Sequence, residues 1–130
     1  MQIPMSSPDI TDAERDIVIE VLNTNHLSIG PKLKTFEQMI AGGVGRKYGI
    51  GVNSGTSGLH LCIIAADVTE RDLVVTSSFS FVASANSIIY ERGIPIFVDV
   101  NPITGNTDPA LVAEAAYDLK RGGARARKWL

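Results

Sequence analysis

A polar, glycine-containing segment near the middle of the chain, residues 53–58, has the residue types that bind a phosphate group. It reads Asn-Ser-Gly-Thr-Ser-Gly and lies between a strand-like run and an apolar helical run. At such a junction the first helical amides lack partners, the helix dipole is positive, and glycine lets an anion approach closely. The hydroxyl groups of Ser54, Thr56 and Ser57 could donate further hydrogen bonds. The alternative is that they only cap the helix while Gly55 forms the turn, and spacing alone leaves both interpretations open.

The segment does not match the common nucleotide-binding or hydrolase signatures. It lacks the G-x-G-x-x-G pattern of dinucleotide-binding folds, and no Gly-Lys-Ser/Thr follows it as in a P-loop. The G-x-S-x-G pattern of a nucleophile elbow is also absent. A phosphate bound here would therefore belong to another class of ligand.

Two further polar points follow predicted strands. Residues 77–81 read Ser-Ser-Phe-Ser-Phe, and an aromatic side chain at a strand end could stack on a flat ring held by the neighbouring loop. The alternative is that Phe79 and Phe81 belong to the core. Asp99 ends a later strand, where its carboxylate could accept hydrogen bonds from a ligand or cap its own loop.

The remaining residues with chemical potential favour structural interpretations. His60 lies on the apolar helix two residues after the glycine loop, where we expect a hydrogen-bonded core histidine rather than a catalyst. His26 has no second histidine or nearby carboxylate at metal-ligand spacing. Cys62 is the single cysteine, which excludes an internal disulfide and a multi-thiolate zinc site, and we expect it to be a small core residue. The sequence predicts no metal site.

The apolar periodicity predicts the elements that position these residues. Two amphipathic helices come first, with Ile17 and Leu33 among their apolar positions. Strands and helices then alternate, and the last helix is capped by Asp108 with Pro109 in its first turn. This order predicts an α/β fold with a parallel sheet, flanking helices and a ligand site beyond the carboxyl ends of the strands. The predicted strands are 48–52, 73–76 and 94–100, and the predicted helices between them are 59–66 and 81–90. We expect the last strand to be covered on both faces. We expect the helix at 59–66 to be buried, because it is apolar almost all round.

Composition limits the class of protein. The chain has 130 residues, a formal net charge of -2, 45% apolar and 20% charged residues, which favours a folded domain over disorder. Its apolar runs are too short to cross a bilayer, and the N-terminus lacks a basic start followed by an apolar core. We therefore expect a cytoplasmic protein with no membrane partner.

The charges are unevenly distributed. Five of the 12 basic residues lie within residues 120–130, which contain no acidic residue. The remainder has 7 basic and 14 acidic residues, a net charge of -7, which argues against nucleic acid as a partner. Gly122 and Gly123 predict a flexible linker here, and phosphate contact by this tail is the alternative. We divide the chain into a helical segment 1–47, an α/β part 48–119 and the basic tail 120–130.

Taken in order along the chain, these segments resemble the DegT/DnrJ/EryC1/StrS family of pyridoxal-phosphate-dependent sugar aminotransferases. The resemblance covers nearly everything from residue 3 to about residue 118. Each segment is weakly specific alone, but the ordered set is strongly specific. The matching segments are Ile3-Pro4-Met5-Ser6, Gly30-Pro31 with Phe36-Glu37, 53–61, 78–83, 97–102, and Asn106 with Asp108-Pro109.

The resemblance implies a fold and a cofactor site. Residues 48–119 would be the amino-terminal part of the large domain of a fold-type-I transferase that uses pyridoxal 5′-phosphate. Gly55, Thr56 and Ser57 would hold the cofactor phosphate through backbone amides and a hydroxyl, and Phe81 would stack over the pyridine ring. The helices near residues 30–31 would contribute to a homodimer interface. The family usually has proline where Ser77 stands, and alanine where Ser57 and often Gly58 stand.

The resemblance also implies an activity. The parent protein would transfer an amino group, usually from glutamate, to a nucleotide-linked keto-sugar. The lysine that holds the cofactor and the aspartate that pairs with the pyridine nitrogen would lie downstream of Leu130, so we expect no catalytic residue within this chain and no activity of the chain alone. Family alternatives are a dehydratase with histidine in place of that lysine, or an enzyme acting on an aromatic-acid precursor. Alternatives of another class are a free-standing α/β module that binds a phosphorylated ligand, and a truncated product without function.

Overall fold

The computed structural model describes residues 3–129, with the backbone alone at position 129. This part of the chain divides into two compact units, one ending at Gly51 and the other beginning at Val52. Helices dominate both units, and no helix described here is long and apolar enough to span a bilayer. The elements are α1 Asp12–Leu22, α2 Pro31–Gly43, α3 Gly55–Ala65, β1 Leu73–Ser77, α4 Ala83–Tyr90, β2 Ile94–Val98, α5 Pro109–Lys120 and α6 Ala124–Trp129.

The outer ends of two predicted segments lie outside the described residues. Met1 and Gln2 begin the predicted helical segment 1–47, and Leu130 ends the predicted basic tail 120–130. The predictions for these two segments are therefore compared with the structure only over residues 3–47 and 120–129.

The first unit contains the two predicted amphipathic helices. A capping box starts α1, in which the Thr11 hydroxyl accepts a hydrogen bond from the amide of Ala13 and the Glu14 carboxylate accepts one from the amide of Thr11. Pro31 in the first turn starts α2, since its missing N–H has no helical acceptor to lose. The chain turns away after α2 at Gly45, whose φ of 63° suits glycine.

The prediction of a strand at residues 48–52 is wrong. These residues join no strand ladder. The Gly51 amide donates instead to Glu37 Oε1 at 2.8 Å, and a Cβ at Gly49 would lie 2.5 Å from the Glu37 carbonyl oxygen. Gly49 and Gly51 therefore lie directly against α2, because glycine allows an approach that a side chain would prevent.

The second unit contains a two-stranded parallel sheet, which confirms the predicted α/β class and strand direction. Leu73 pairs with Ile94 at one end of the register and Ser77 pairs with Val98 at the other. Helix α4 crosses between the strands and packs against both. The buried apolar side chains of this unit are Ala83, Ile88, Ile96, Val98, Ala115 and Ala126.

Burial differs from the prediction in two elements. Strand β2 ends at Val98 rather than at residue 100, and it buries Ile96 and Val98 while Phe97 on the other face stays exposed. Helix α3 has no buried residue, and its Cys62 is exposed rather than in the core. The predicted burial was wrong in both cases, because the described chain covers Phe97 only in part and packs α4 against only one side of α3.

Several helix boundaries also differ from the prediction. Helix α3 begins at Gly55, four residues early, because Ser54 rather than a later residue provides the N-cap. Helix α4 begins at Ala83, two residues after the predicted start.

The predicted flexible linker near the C-terminus contains a helix, α6. The Asp118 carboxylate accepts a hydrogen bond from the amide of Arg125 at 2.8 Å, and Glu114 lies 3.4 Å from the Arg125 guanidinium. Ala126 is fully buried. Helix α5 thus offers acidic partners to the basic tail, which the charge pattern alone did not show.

Candidate functional site

The first turn of α3 contains amides that could bind an anion. Ser54 Oγ accepts a hydrogen bond from the amide of Ser57 at 3.2 Å, and the Ser54 carbonyl accepts one from the amide of Gly58 at 3.1 Å. In the part of the chain that the structure describes, the amides of Gly55 and Thr56 donate to no protein acceptor. These two N–H groups lie at the positive end of an 11-residue helix dipole.

Ser57 has a different role from its two neighbours. Its hydroxyl donates to Asn53 Oδ1 at 2.8 Å and lies 2.9 Å from Ser54 Oγ. Its amide is used by the cap, as described above. The capping interpretation therefore describes Ser57, whereas Gly55 and Thr56 keep the groups that the phosphate interpretation requires.

An open depression of about 440 Å³ brings the glycine loop and one of the two phenylalanines together. It is lined on the α3 side by Gly55, Thr56 and Leu59, and on the α4 side by Ser80, Phe81, Ala83 and Ser84. A Cβ added to Gly55 would meet nothing within 4 Å. The backbone of that residue is therefore open to a ligand.

The prediction that both phenylalanines could belong to the core is wrong. Phe81 is 77% exposed and Phe79 is 74% exposed, because α4 starts only after them and neither side chain joins its buried face. Only Phe81 lines the depression. Its ring is therefore available for stacking on a planar ligand beside the amides of α3.

Two serines on the α4 side were missed as a pair by the sequence reasoning. Ser80 Oγ and Ser84 Oγ are 2.6 Å apart and both residues line the depression. Their spacing of four residues across a helix start was the available signal. Either hydroxyl can also hydrogen-bond a ligand.

The lining of the depression has no ionisable side chain. An anion there would be held by amide dipoles and hydroxyl groups rather than by an ion pair. None of the lining residues is a lysine, so the depression as described has no amine that could react with a carbonyl group. No group of three or more His, Cys, Asp or Glu side chains within residues 3–129 could hold a metal ion.

The other candidate residues lie outside the depression. Asp99 Oδ1 accepts a hydrogen bond from the amide of Val100 at 2.8 Å, which supports the loop-capping interpretation. Asp108 caps α5 by accepting from the amide of Ala110 at 2.8 Å. His60 is half-buried and pairs with Glu91, so it is hydrogen-bonded as expected although it is not fully buried.

Two site assignments stay predictions. One prediction assigns cofactor binding to Gly55, Thr56, Ser57 and Phe81. The other places the catalytic residues downstream of Leu130, a position that itself lies outside the described residues.

Comparisons with known proteins identify a family to which this chain is similar. The sequence profile of the DegT/DnrJ/EryC1/StrS aminotransferase family matches residues 8–120. GDP-perosamine synthase of Caulobacter vibrioides is 36% identical over 110 residues, which are 84% of this chain and 30% of that protein. The chain spans about a third of the length of the curated relatives that it matches.

Solved structures show the same partial coverage. The structure of NtdA from Bacillus subtilis with bound cofactor PMP has a TM-score of 0.74 and 33% identity, covering 82% of this chain and 25% of that one. The Escherichia coli GDP-4-keto-6-deoxy-D-mannose-3-dehydratase with bound hydrated PLP has a TM-score of 0.79 and 25% identity, covering 88% and 31%.

Proposed function

The chain belongs to the DegT/DnrJ/EryC1/StrS aminotransferase family, and from that premise we propose that it forms the phosphate-binding side of a pyridoxal 5′-phosphate site. The observation that carries this proposal is the juxtaposition of the unpaired Gly55 and Thr56 amides with the exposed ring of Phe81 across one depression. One part suits a phosphate group and the other suits a flat aromatic ring.

The residues present fit such a cofactor in their chemistry. A phosphate ester prefers amide donors at a helix N-terminus, and the Thr56 hydroxyl adds a donor beside them. Gly55 leaves its backbone unobstructed because it has no side chain. In this proposal Ser57 contributes less than its neighbours, since its amide and hydroxyl are already hydrogen-bonded within the cap.

The residues of this chain would bind and orient the cofactor. The bound cofactor supplies an electron sink that stabilises negative charge on the substrate carbon next to nitrogen. The amides of Gly55 and Thr56 would hold its phosphate in place, and Phe81 would cover one face of its ring and exclude water there. The family resemblance places the lysine that would link to the cofactor downstream of Leu130, and no lysine lines the depression.

We extend the proposal to the parent protein as an aminotransferase of a keto-sugar attached to a nucleotide. The name of the Caulobacter vibrioides relative supports a nucleotide-linked sugar. Glutamate as amino donor and a homodimer are parts of this proposal carried by the family resemblance, and a cytoplasmic location is the part carried by the composition of the sequence.

A dehydratase is the second candidate. The Escherichia coli dehydratase, whose structure holds bound hydrated PLP, has a TM-score comparable with that of NtdA. The two reactions share the cofactor, so the residues described here serve either one.

The test is selective binding of the phosphorylated cofactor by the 130-residue chain. We expect pyridoxal 5′-phosphate to raise the melting temperature, because a ligand that binds only the folded state stabilises it. Pyridoxal without phosphate should produce a much smaller rise at the same concentration. Equal rises with the two compounds would contradict a phosphate site.

Two variants with matched controls locate the binding. Phe81→Ala should weaken cofactor binding about tenfold by loss of ring stacking, whereas Phe79→Ala, an equally exposed neighbour outside the depression, should leave it unchanged. Thr56→Val should weaken binding about threefold by removing one hydroxyl donor, with Thr104→Val as its control. Equal losses from both phenylalanine variants would overturn the assignment of Phe81.

The absence of catalysis by this chain is tested separately. After borohydride reduction in the presence of the cofactor, mass spectrometry should find no single lysine fully converted to a pyridoxyl derivative, and the chain should transfer no amino group from glutamate. One stoichiometrically modified lysine would show that the linking residue is present after all.

A further inference from the structure

A hydrogen-bonded pair outside the lining of the depression joins α3 to the C-cap residue of α4. His60 Nε2 lies 2.6 Å from Glu91 Oε1, and their side chains are 33% and 31% exposed. An ionised carboxylate has only acceptors, so the imidazole N–H donates. The His60 ring also meets the Tyr90 ring edge to face, with centroids 5.1 Å apart. Within residues 3–129 this is the one side-chain hydrogen bond between α3 and the α4 region.

The pair lies close enough along α3 to influence the position of the first turn of that helix. His60 is four residues after Thr56, so the two lie one helical turn apart on the same side of α3. Glu91 is the C-cap residue of α4, and Phe81 lies just before the other end of that helix. The pair therefore joins the helix that holds the free amides to the helix that follows the aromatic ring.

Apolar packing alone does not set this alignment firmly. Helix α3 packs against α4 but contains no buried residue, and contacts between apolar surfaces are not directional. A hydrogen bond to an ionised group is short and directional. It can therefore hold one helix against sliding or rotating along the other.

We propose that His60 is a positioning residue, which fixes the first turn of α3 opposite Phe81 through its hydrogen bond to Glu91. The part of this inference that concerns the cofactor rests on the proposed function. The part that concerns the alignment of α3 does not, because it is a property of the chain without ligand.

The test separates the hydrogen bond from the ring. His60→Phe keeps an aromatic ring against Tyr90 but removes the N–H, whereas His60→Gln keeps an N–H near the position of Nε2 but removes the ring. Hydrogen exchange of the hydrogen-bonded amides at residues 57–61 of α3 is measured without ligand, with the amides of Thr76 and Ile96 in the sheet as an internal control. We expect exchange in α3 to be about tenfold faster in His60→Phe and close to wild type in His60→Gln.

Cofactor titration provides the second measurement. Pyridoxal 5′-phosphate should bind His60→Phe about tenfold more weakly than wild type and His60→Gln within about twofold. The change should be in the dissociation constant, while the exchange of the sheet amides stays constant.

The possible results distinguish the positioning role of His60 from the proposed cofactor site. Equal effects of the phenylalanine and glutamine variants, or faster exchange throughout the sheet, would overturn a positioning role for the hydrogen bond, and so would unchanged exchange in both. If wild type does not bind the cofactor but the exchange contrast holds, the alignment role stands and the proposed function fails.

Discussion

Helix α2 in the first unit and helix α4 in the second differ in how much they bury. Helix α2 has 13 residues and buries only Ala41, whereas α4 has 8 residues and buries Ala83, Ser87 and Ile88. The shorter helix buries more because it crosses over a pair of strands whose inward side chains meet it. The longer one has apolar residues on its predicted face, but residues 3–51 of its own unit form no sheet to lie against them.

The two units therefore depend on different interactions. The ends of α1 and α2 are set by local features, a capping box in one and a first-turn proline in the other, yet no described residue of α1 is buried. The second unit also has local start signals, a serine cap at α3 and a first-turn proline at α5, together with a buried core around Ile88. Local capping defines where helices begin, whereas strand pairing supplies the burial that stabilises them.

The largest expected effect comes from removing the centre of that core. Ile88 is 2% exposed and Ile40 on α2 is 51% exposed. Ile88→Ala should lower the free energy of unfolding by about 3 kcal/mol by losing buried surface and leaving a cavity, and Ile40→Ala by less than about 1 kcal/mol. Urea unfolding of the two variants measures this difference. Similar losses would show that the first unit contributes a core of its own.

Two glycine substitutions should have opposite signs. A Cβ at Gly93 would lie 2.9 Å from Ile88 Cγ2 and 3.2 Å from the Ile88 carbonyl oxygen, whereas a Cβ at Gly42 would meet nothing within 4 Å. Gly93→Ala should destabilise the protein by about 1–3 kcal/mol through overpacking. Gly42→Ala should stabilise it by about 0.5 kcal/mol because alanine favours the helix. Thermal unfolding checks both, and a stabilising Gly93→Ala would contradict the close packing described here.

The smallest expected effect concerns the capping box of α1. The hydrogen bond from the Thr11 hydroxyl, followed by that from the Thr11 amide, lowers the pKa of the Glu14 carboxyl below its ordinary value. Because the pKa is lower in the folded helix than in the unfolded chain, the stabilisation is fully present above the ordinary glutamate pKa of about 4.3 and is lost as the pH falls through the lowered value.

The NMR shift of the Thr11 amide measures this titration, since that amide donates to Glu14 Oε2 at 2.7 Å. The pH midpoint of the shift of the residue 11 amide should rise towards the ordinary glutamate pKa in Thr11→Val. In Glu14→Gln the shift of that amide should no longer titrate. A midpoint unchanged by Thr11→Val would show that the hydroxyl group is not the main cause of the lowered pKa.

Much of the site could be predicted from neighbouring residues along the chain. Ser54 caps a helix as its residue type favours, and the helix follows a glycine loop whose amides at Gly55 and Thr56 stay unpaired. The order of strands and helices was sufficient for the parallel pairing of β1 with β2. These features depend on a few adjacent residues or on general rules of chain connection.

Other features depended on partners that sequence position does not reveal. The apolar run at residues 48–52 matched a strand, but a strand forms only where a second strand pairs with it, and here Gly49 and Gly51 lie against α2 instead. The apolar character of α3 predicted burial, but burial requires a covering surface, which the described chain does not provide.

By itself the sequence determined the helix caps, the glycine loop and the family to which the chain belongs, because each is encoded in short segments and their order. Only the tertiary structure decided that Phe81 rather than Phe79 faces the loop, and that His60 pairs with Glu91, 31 residues away. The physical reason is that a contact between distant residues depends on the packing angles of whole helices, which no local pattern specifies.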